Sequence, residues 1–126
     1  MEHVKVLLVE GESPVRSRLS SAICELGEVQ VEIQDPDWPE VEQDLARSRP
    51  DVVVVDVDCP QQEGLEIIRK IRSSMGKEAP VIVAISASKS LQYRSSCHEA
   101  GATYFFNRVR EQDWLLDSLG SIRDQL

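Results

Sequence analysis

The stretch PDVVVVDVDCPQQEG, residues 50–64, decides the fold of this chain. A Pro-Asp pair is followed by four consecutive valines and a carboxylate, Asp56. A polar loop then carries Asp58, and Gly64 precedes a helical pattern. Four β-branched residues without alternation indicate a strand that is buried on both faces, as parallel strands are. Asp56 is therefore predicted at the carboxyl end of a central strand, where open α/β sheets bind their ligands.

The composition is that of a folded protein, and we expect one domain covering residues 1–126. Hydrophobic residues make up 41% of the chain and charged residues 29%, and acidic residues outnumber basic ones by 22 to 14. The net charge of −8 disfavours direct binding to nucleic acid or to an anionic membrane. No apolar run reaches the roughly 20 residues that span a bilayer. Three cysteines without metal-ligand spacing are typical of reduced thiols, so we expect a cytoplasmic protein.

Apolar runs and helical patterns alternate along the whole chain. The run at residues 29–33 alternates apolar and polar side chains, which predicts a strand at the edge of the sheet. Ser13 is the predicted N-cap of the first helix. Five strand–helix units in strict alternation predict an α/β fold, with a parallel sheet covered by helices on both faces and right-handed crossovers. The predicted strands are residues 4–9, 29–33, 51–56, 81–85 and 104–106.

Four of the predicted strands deliver polar side chains at their carboxyl ends. Taken singly, such residues are often turn residues, caps or surface cations, and only their joint placement favours a functional site. Carboxylates that are brought together repel one another unless protons or a cation intervene. The cluster therefore suits Mg²⁺, which binds one or two carboxylates together with phosphate oxygens. Its members are Glu10 and Glu12, Asp56 and Asp58, Ser86, and Arg108.

With these features the sequence resembles the receiver domain of two-component response regulators over nearly its whole length. KVLLVEGESPVR resembles the first strand and acidic loop, and PDVVVVDVDCPQQEGLEIIRKIR resembles the phosphoacceptor strand, its loop and the third helix. PVIVAISA and GATYFFNRV resemble the last two strands. The resemblance implies a single-domain, flavodoxin-like (βα)5 sandwich with five parallel strands in the order 2-1-3-4-5. It also implies a role in phosphorelay signal transduction rather than an enzymatic activity.

The same resemblance assigns roles to individual residues. Asp56 matches the phosphoacceptor, a nucleophile toward a phosphohistidine or a small phosphodonor. Glu10, Asp56 and Asp58 match the Mg²⁺ site, where Asp58 would contribute its backbone carbonyl. Ser86 and Arg108 match the hydroxyl and the cation that meet the phosphoryl group.

The resemblance further implies a switch and its partners. Ser86 and Phe105 match the hydroxyl and the aromatic side chain that move together on phosphorylation. A histidine kinase or phosphotransfer protein would supply the phosphoryl group. A protein partner would bind the face made by the fourth helix, the fifth strand and the fifth helix. A partner surface and a mixture of core aromatic residues with solvated arginines are equally consistent with the aromatic and basic residues of this region. These residues are Tyr93, Arg94, Tyr104, Phe106, Arg108, Arg110 and Trp114.

Two positions depart from the family at the site itself. Gly11 stands where the family has a metal-binding aspartate, and a glycine has no side chain to offer. Arg108 and Val109 replace a Lys-Pro pair. The guanidinium of Arg is planar and carries several donors, whereas the ammonium of Lys is a compact charge. Arg108 is expected either to clamp a phosphoryl group or to pair bidentately with Asp56 in the resting state. Without proline at position 109, the peptide bond before Val109 is predicted to be trans. We therefore expect an atypical receiver with weak or lost Mg²⁺-dependent phosphorylation.

Three other functions remain open. The first is a phosphorylation-independent pseudo-receiver that acts purely as a protein–protein interaction module. The second is a small phosphatase of the haloacid dehalogenase type, since Asp56-Val57-Asp58 is a DxD motif, although that family carries the motif on its first strand. The third is a flavodoxin-type nucleotide module, which the acidic loop of residues 10–12 disfavours because it would repel phosphate.

Overall fold

The computed structural model describes residues 3–11, 14–58, 63–87 and 91–125, with side chains at all of these except 14–17 and 91–92. Glu12, Ser13 and Cys59, which the sequence analysis discussed, lie outside the described residues. Within them, five strands alternate with five helices. The strands are β1 (Val4–Val9), β2 (Val29–Gln34), β3 (Val52–Asp56), β4 (Val81–Ser86) and β5 (Tyr104–Asn107). The helices are α1 (Pro14–Cys24), α2 (Trp38–Ser48), α3 (Glu63–Met75), α4 (Leu91–Ala100) and α5 (Gln112–Gln125).

The sheet is fully parallel and has the order β2-β1-β3-β4-β5. The predicted α/β class and strand order are therefore confirmed. The strand β3 lies at the centre, where Val52 pairs with Val6 of β1 and with Val81 of β4. The strand β2 lies at an edge, as its alternating pattern predicted, and its side chains are half-buried or exposed.

The four valines of β3 explain why the sheet needs helices on both faces. All four are fully buried, and they alternate between two separate hydrophobic cores. Val53 and Val55 pack in the core that α2, α3 and α4 cover, whereas Val52 and Val54 pack in the core that α1 and α5 cover. Burial of each valine stabilises the fold by about 1.5–3 kcal/mol. An uninterrupted apolar run is thus required at this position.

Several elements extend beyond their apolar patterns. The helix α2 begins at Trp38, with Pro39 in its first turn and Asp37 extended before it. The helix α5 begins at Gln112, and β5 continues to Asn107. First turns and strand ends that carry polar residues give no hydrophobic periodicity, so their bounds were not visible in the sequence. Within the described part of the chain, none of the helices is long and apolar enough to cross a membrane.

Candidate functional site

The carboxyl ends of four strands meet at one edge of the sheet. Glu10 directly follows β1, whose last residue pairs with Val55, the neighbour of Asp56. Asp56 in turn ends β3, and Ser86 ends β4 beside Asn107 of β5. This register brings the predicted cluster together, as parallel strands require.

Arg108 lies inside this cluster and contacts two carboxylates with one nitrogen. Its Nη1 lies 2.7 Å from Oε2 of Glu10 and 2.9 Å from Oδ2 of Asp56. The backbone N–H of Arg108 donates to the carbonyl of Ser86, which fixes the start of the turn after β5. The side chains are 2% exposed for Glu10, 14% for Asp56 and 10% for Arg108. A largely buried guanidinium is thus the cation that Glu10 and Asp56 share.

This contact differs from the bidentate pair that the sequence analysis considered. A bidentate pair would use two nitrogens on a single carboxylate, whereas Arg108 uses one nitrogen to bridge Asp56 and Glu10. The difference arises because Glu10 is buried beside Asp56 and also needs a positive charge. Glu10 was predicted as a metal ligand, and its contact with Arg108 was not foreseen. The peptide bond before Val109 is trans, as expected, since no described peptide bond is cis.

The environment of Asp56 shifts its ionisation. Burial raises the pKa of Asp56 above its ordinary value, because a charged carboxylate loses hydration there. The N–H of Asp58, which donates to Oδ1 of Asp56 at 2.8 Å, and the charge of Arg108 both oppose that rise. Desolvation is the larger effect, so the ionised form of Asp56 lowers the stability of the fold.

The carboxylate of Asp58 points to β4 rather than to Arg108. Its Oδ1 accepts a hydrogen bond from the Ser86 hydroxyl at 2.7 Å. Its Oδ2 accepts one from the backbone N–H of Ala87, also at 2.7 Å. The sequence had indicated a role for the backbone carbonyl of Asp58 and gave no signal for this side-chain contact or for Ala87. The loop after β3 is therefore tied to the end of β4 by a carboxylate.

The described side chains at this edge are not arranged as a Mg²⁺ site. Gly11 offers no side-chain ligand, and Arg108 bridges one oxygen of Glu10 and one oxygen of Asp56. Among the described residues, no group of three or more acidic, histidine or cysteine side chains is arranged to hold a metal ion. Mg²⁺ requires near-octahedral oxygen coordination. The guanidinium therefore balances the charges of Glu10 and Asp56, and the fit of the described side chains for Mg²⁺ is poor.

The predicted switch and partner face are divided between core and surface. Phe105 is buried, and the guanidinium of Arg94 lies 5.6 Å from the centre of its ring. Tyr104 and Trp114 are exposed, so they belong to the surface. Arg108, expected among the basic residues of this face, is instead buried in the carboxylate cluster. Tyr93 and Phe106 are partly buried against the two cores.

Hollows of comparable volume lie at both ends of the described sheet. One, of about 600 Å³, opens beside Arg108 and Asp58, next to the cluster. The other, of about 680 Å³, lies between α2 and the segment after α3, near the amino ends of β3 and β4. Of the candidate site residues, Asp58 and Arg108 line the first hollow, although the second is larger. The first is lined by Arg18, Leu19, Asp58, Ala87, Arg108, Val109, Gln112 and Asp113.

Comparison with known sequences identifies a family and several relatives. The sequence model of the response regulator receiver domain matches residues 6–119. Response regulator MprA of Mycobacterium sp. (strain KMS) is 35% identical over 99 residues, which are 79% of this chain and 41% of that protein. The protein-glutamate methylesterase/protein-glutamine glutaminase of Treponema denticola is 25% identical over 108 residues, 86% of this chain and 29% of that enzyme. The chain thus spans less than half the length of these relatives.

Solved structures share the fold at low sequence identity. A two-component response regulator of the LuxR family from Aurantimonas sp. SI85-9A1 superposes with a TM-score of 0.84 at 22% identity, covering 98% of this chain and 87% of that one. The BeF3-activated N-terminal receiver domain of Klebsiella pneumoniae RstA superposes with a TM-score of 0.79 at 23% identity, covering 94% and 97%. These likenesses support the fold, and the match over residues 6–119 identifies the family. The chain belongs to the response regulator receiver domain family of two-component signalling.

Proposed function

We propose that this receiver domain signals with little or no Mg²⁺-dependent phosphorylation of Asp56, because an internal ion pair closes the site. The observation that carries the proposal is the position of Arg108, whose Nη1 contacts both Asp56 and Glu10. In this role the domain acts through protein contacts rather than as an enzyme. Its partners are a histidine kinase or phosphotransfer protein and a downstream protein.

The state of Asp56 itself supports the proposal. Phosphoryl transfer requires one carboxylate oxygen to attack phosphorus while the bond to the leaving group of the donor breaks. Here Oδ1 accepts a hydrogen bond from Asp58 and Oδ2 accepts one from Arg108. Removing one partner of a buried ion pair costs on the order of 3–5 kcal/mol, so displacement of Arg108 from these two carboxylates is unfavourable. Attack by Oδ2 therefore carries an additional barrier.

Gly11 supports the same conclusion independently of Arg108. A divalent cation would have to displace Arg108 and would then find no side chain at position 11. A Cβ built on Gly11 meets no atom within 4 Å, so the loop has room for a larger residue. The ligand is therefore missing because glycine has no side chain, and not because neighbouring atoms crowd the loop. That room also makes the missing aspartate easy to supply experimentally.

The face formed by α4, β5 and α5 is the proposed contact surface for a protein partner. Tyr104 is 43% exposed, and its ring stacks on Phe106 with centroids 6.1 Å apart. Trp114 is 62% exposed at the start of α5. Large exposed aromatic side chains are enriched at protein interfaces. Their position on this face supports its assignment as the partner surface.

The test is incubation with acetyl phosphate, with and without Mg²⁺, followed by intact-mass measurement. The protein is compared with Gly11→Asp, with Arg108→Lys and with the double variant, and Asp56→Asn serves as the blank. We expect little phosphoryl addition to the unmodified chain in either condition. The double variant should gain Mg²⁺-dependent addition, because it restores both a ligand and a compact, displaceable cation.

Two results would decide against the proposal. Stoichiometric, Mg²⁺-dependent addition at Asp56 of the unmodified chain would establish an ordinary phosphorylated switch. Failure of the double variant to gain any addition would mean that Gly11 and Arg108 are not the cause of the defect. Peptide mapping of the modified protein distinguishes Asp56 from other acceptors in both cases.

A further inference from the structure

Asp58 has a contact that the ion pair between Arg108 and Asp56 does not explain. Both of its carboxylate oxygens are held by donors at the end of β4, the Ser86 hydroxyl and the Ala87 N–H. At the same time its own N–H donates to Oδ1 of Asp56. The carboxylate of Asp58 therefore stands between Asp56 and the end of β4.

We propose that the carboxylate of Asp58 is a permanent internal substitute for a phosphoryl group. It accepts the hydrogen bonds of Ser86 and Ala87 without covalent modification and so keeps the carboxyl ends of β4 and β5 in one fixed arrangement. This inference rests on the proposed function and adds the regulation of that site. The domain then holds its partner surface in a single state, whether or not a phosphodonor is present.

The chemistry of the donors supports this assignment. A phosphoryl group attached to Asp56 would need O–H and N–H donors for its oxygens. Within the described part of the edge, Ser86 and Ala87 donate to Asp58, and Arg108 donates to Asp56 and forms an ion pair with Glu10. A carboxylate presents two anionic oxygens, and each here receives a charge-assisted hydrogen bond at 2.7 Å. An incoming phosphoryl group would have to displace Asp58 before it could use either donor.

A continuous set of contacts links Asp58 to the partner surface. Ser86 is fully buried at the end of β4 and pairs in register with Asn107 of β5. The N–H of Asn107 donates to Oε1 of Glu111, and Arg94 of α4 lies 3.5 Å from the same oxygen. The guanidinium of Arg94 also covers the ring of Phe105, which lies two residues before Asn107 on β5. Loss of the Asp58 contact should therefore alter Phe105 as well as Ala87.

The experiment is NMR on the full chain without Mg²⁺ or phosphodonor, so it does not depend on any phosphorylation result. The chain contains two phenylalanines, and fluorophenylalanine labelling gives two ¹⁹F signals that Phe106→Leu assigns. Amide exchange at Ala87 reports the local contact, and the Phe105 signal reports the linked surface. The variants are Asp58→Ala, the near-isosteric Asp58→Asn, and Ser86→Ala. Asp51→Asn is the control, because Asp51 also accepts a backbone N–H, from Lys5, at the other end of the sheet.

We expect amide exchange at Ala87 to become about 10- to 100-fold faster in Asp58→Ala. Asp58→Asn should lie in between, since an amide oxygen can still accept one of the two hydrogen bonds. The Phe105 signal should shift in both variants and in Ser86→Ala. The double variant Asp58→Ala with Ser86→Ala should shift no further than either single one. Asp51→Asn should leave both readouts unchanged.

Two outcomes overturn the inference. If Ala87 exchange and the Phe105 signal stay unchanged in folded Asp58→Ala, Asp58 holds nothing in place. If Ala87 exchange rises while the Phe105 signal does not move, Asp58 is a local loop cap without influence on the partner surface. Failure of the proposed function would appear separately, as phosphoryl addition to the unmodified chain in the mass measurement.

Discussion

Nη1 of Arg108 lies 2.9 Å from Oδ2 of Asp56, across 52 residues of sequence, and the same nitrogen reaches Glu10. One largely buried cation therefore balances the buried carboxylate of Glu10 and the largely buried carboxylate of Asp56. The guanidinium of Arg108 therefore affects both the stability of the fold and the ionisation of Asp56, because its removal would leave two negative charges in a poorly hydrated site.

Removal of this cation should destabilise the protein strongly. In Arg108→Ala, Glu10 and Asp56 would remain buried without a positive charge, and breaking such a buried pair costs on the order of 3–5 kcal/mol. The measurement is the free energy of unfolding in urea at neutral pH. Arg69→Ala is the matched control, because its ion pair with Glu66 is exposed on α3 and should contribute under about 1 kcal/mol. Equal losses in the two variants would mean that the buried pair contributes no more than a surface pair.

Ionisation of Asp56 should lower stability. Burial raises the folded-state pKa of Asp56 above that of the unfolded chain, so the folded state holds the proton more tightly. The favourable contribution is therefore complete below the ordinary carboxyl pKa and is lost as pH rises through the raised value. Asp56→Asn should consequently be more stable than the unmodified protein at neutral pH, and the difference should shrink on acidification.

Thermal unfolding of both proteins at several pH values tests this expectation. Asp51→Asn controls for the general effect of removing one carboxylate from an acidic chain. A lower midpoint for Asp56→Asn at neutral pH would show that the contacts of Asp56 outweigh its desolvation.

The backbone of the site was predictable to a greater extent than its side-chain contacts. Four consecutive valines required a strand with two buried faces, and their alternation between two cores follows from the geometry of a strand. Strict strand–helix alternation then placed Glu10, Asp56 and Ser86 at one edge. The direction of Asp58 was not predictable, because a polar residue in a turn can face either neighbouring strand. Its choice of Ser86 and Ala87 depends on how closely two loops approach in space.

Gly64 should be needed to hold that loop in place. A Cβ at this position would lie 2.5 Å from the carbonyl oxygen of Asp56 and 2.9 Å from Cα of Val57. Both are backbone atoms, so Gly64→Ala must displace the end of β3 or the start of α3. We expect a loss of about 1–3 kcal/mol in the free energy of unfolding. Gly120→Ala in α5 is the control, because its Cβ meets just the far end of Arg123, at 3.9 Å, and it should gain about 0.5–1 kcal/mol.

The same substitution also has a site-specific readout. Displacement of the loop should lengthen or break the contact between Asp58 and Ala87, so amide exchange at Ala87 should accelerate in Gly64→Ala. Unchanged exchange together with unchanged stability would mean that the strand and helix separate without strain.

The thiol of Cys97 should be protected by the fold. Cys97 is fully buried on α4, and burial raises its pKa to about 11, whereas Cys24 is exposed at the end of α1. At pH 7 about one in ten thousand Cys97 thiols would be ionised, and the thiolate is the reactive form. In a Cys59→Ser background, a disulfide reagent such as DTNB should therefore modify Cys24 rapidly and Cys97 only after opening of α4. Addition of urea should release the second thiol, and Cys24→Ser and Cys97→Ser assign the two phases. Two equally fast phases in the folded protein would mean that α4 opens readily and that the core beneath it is accessible.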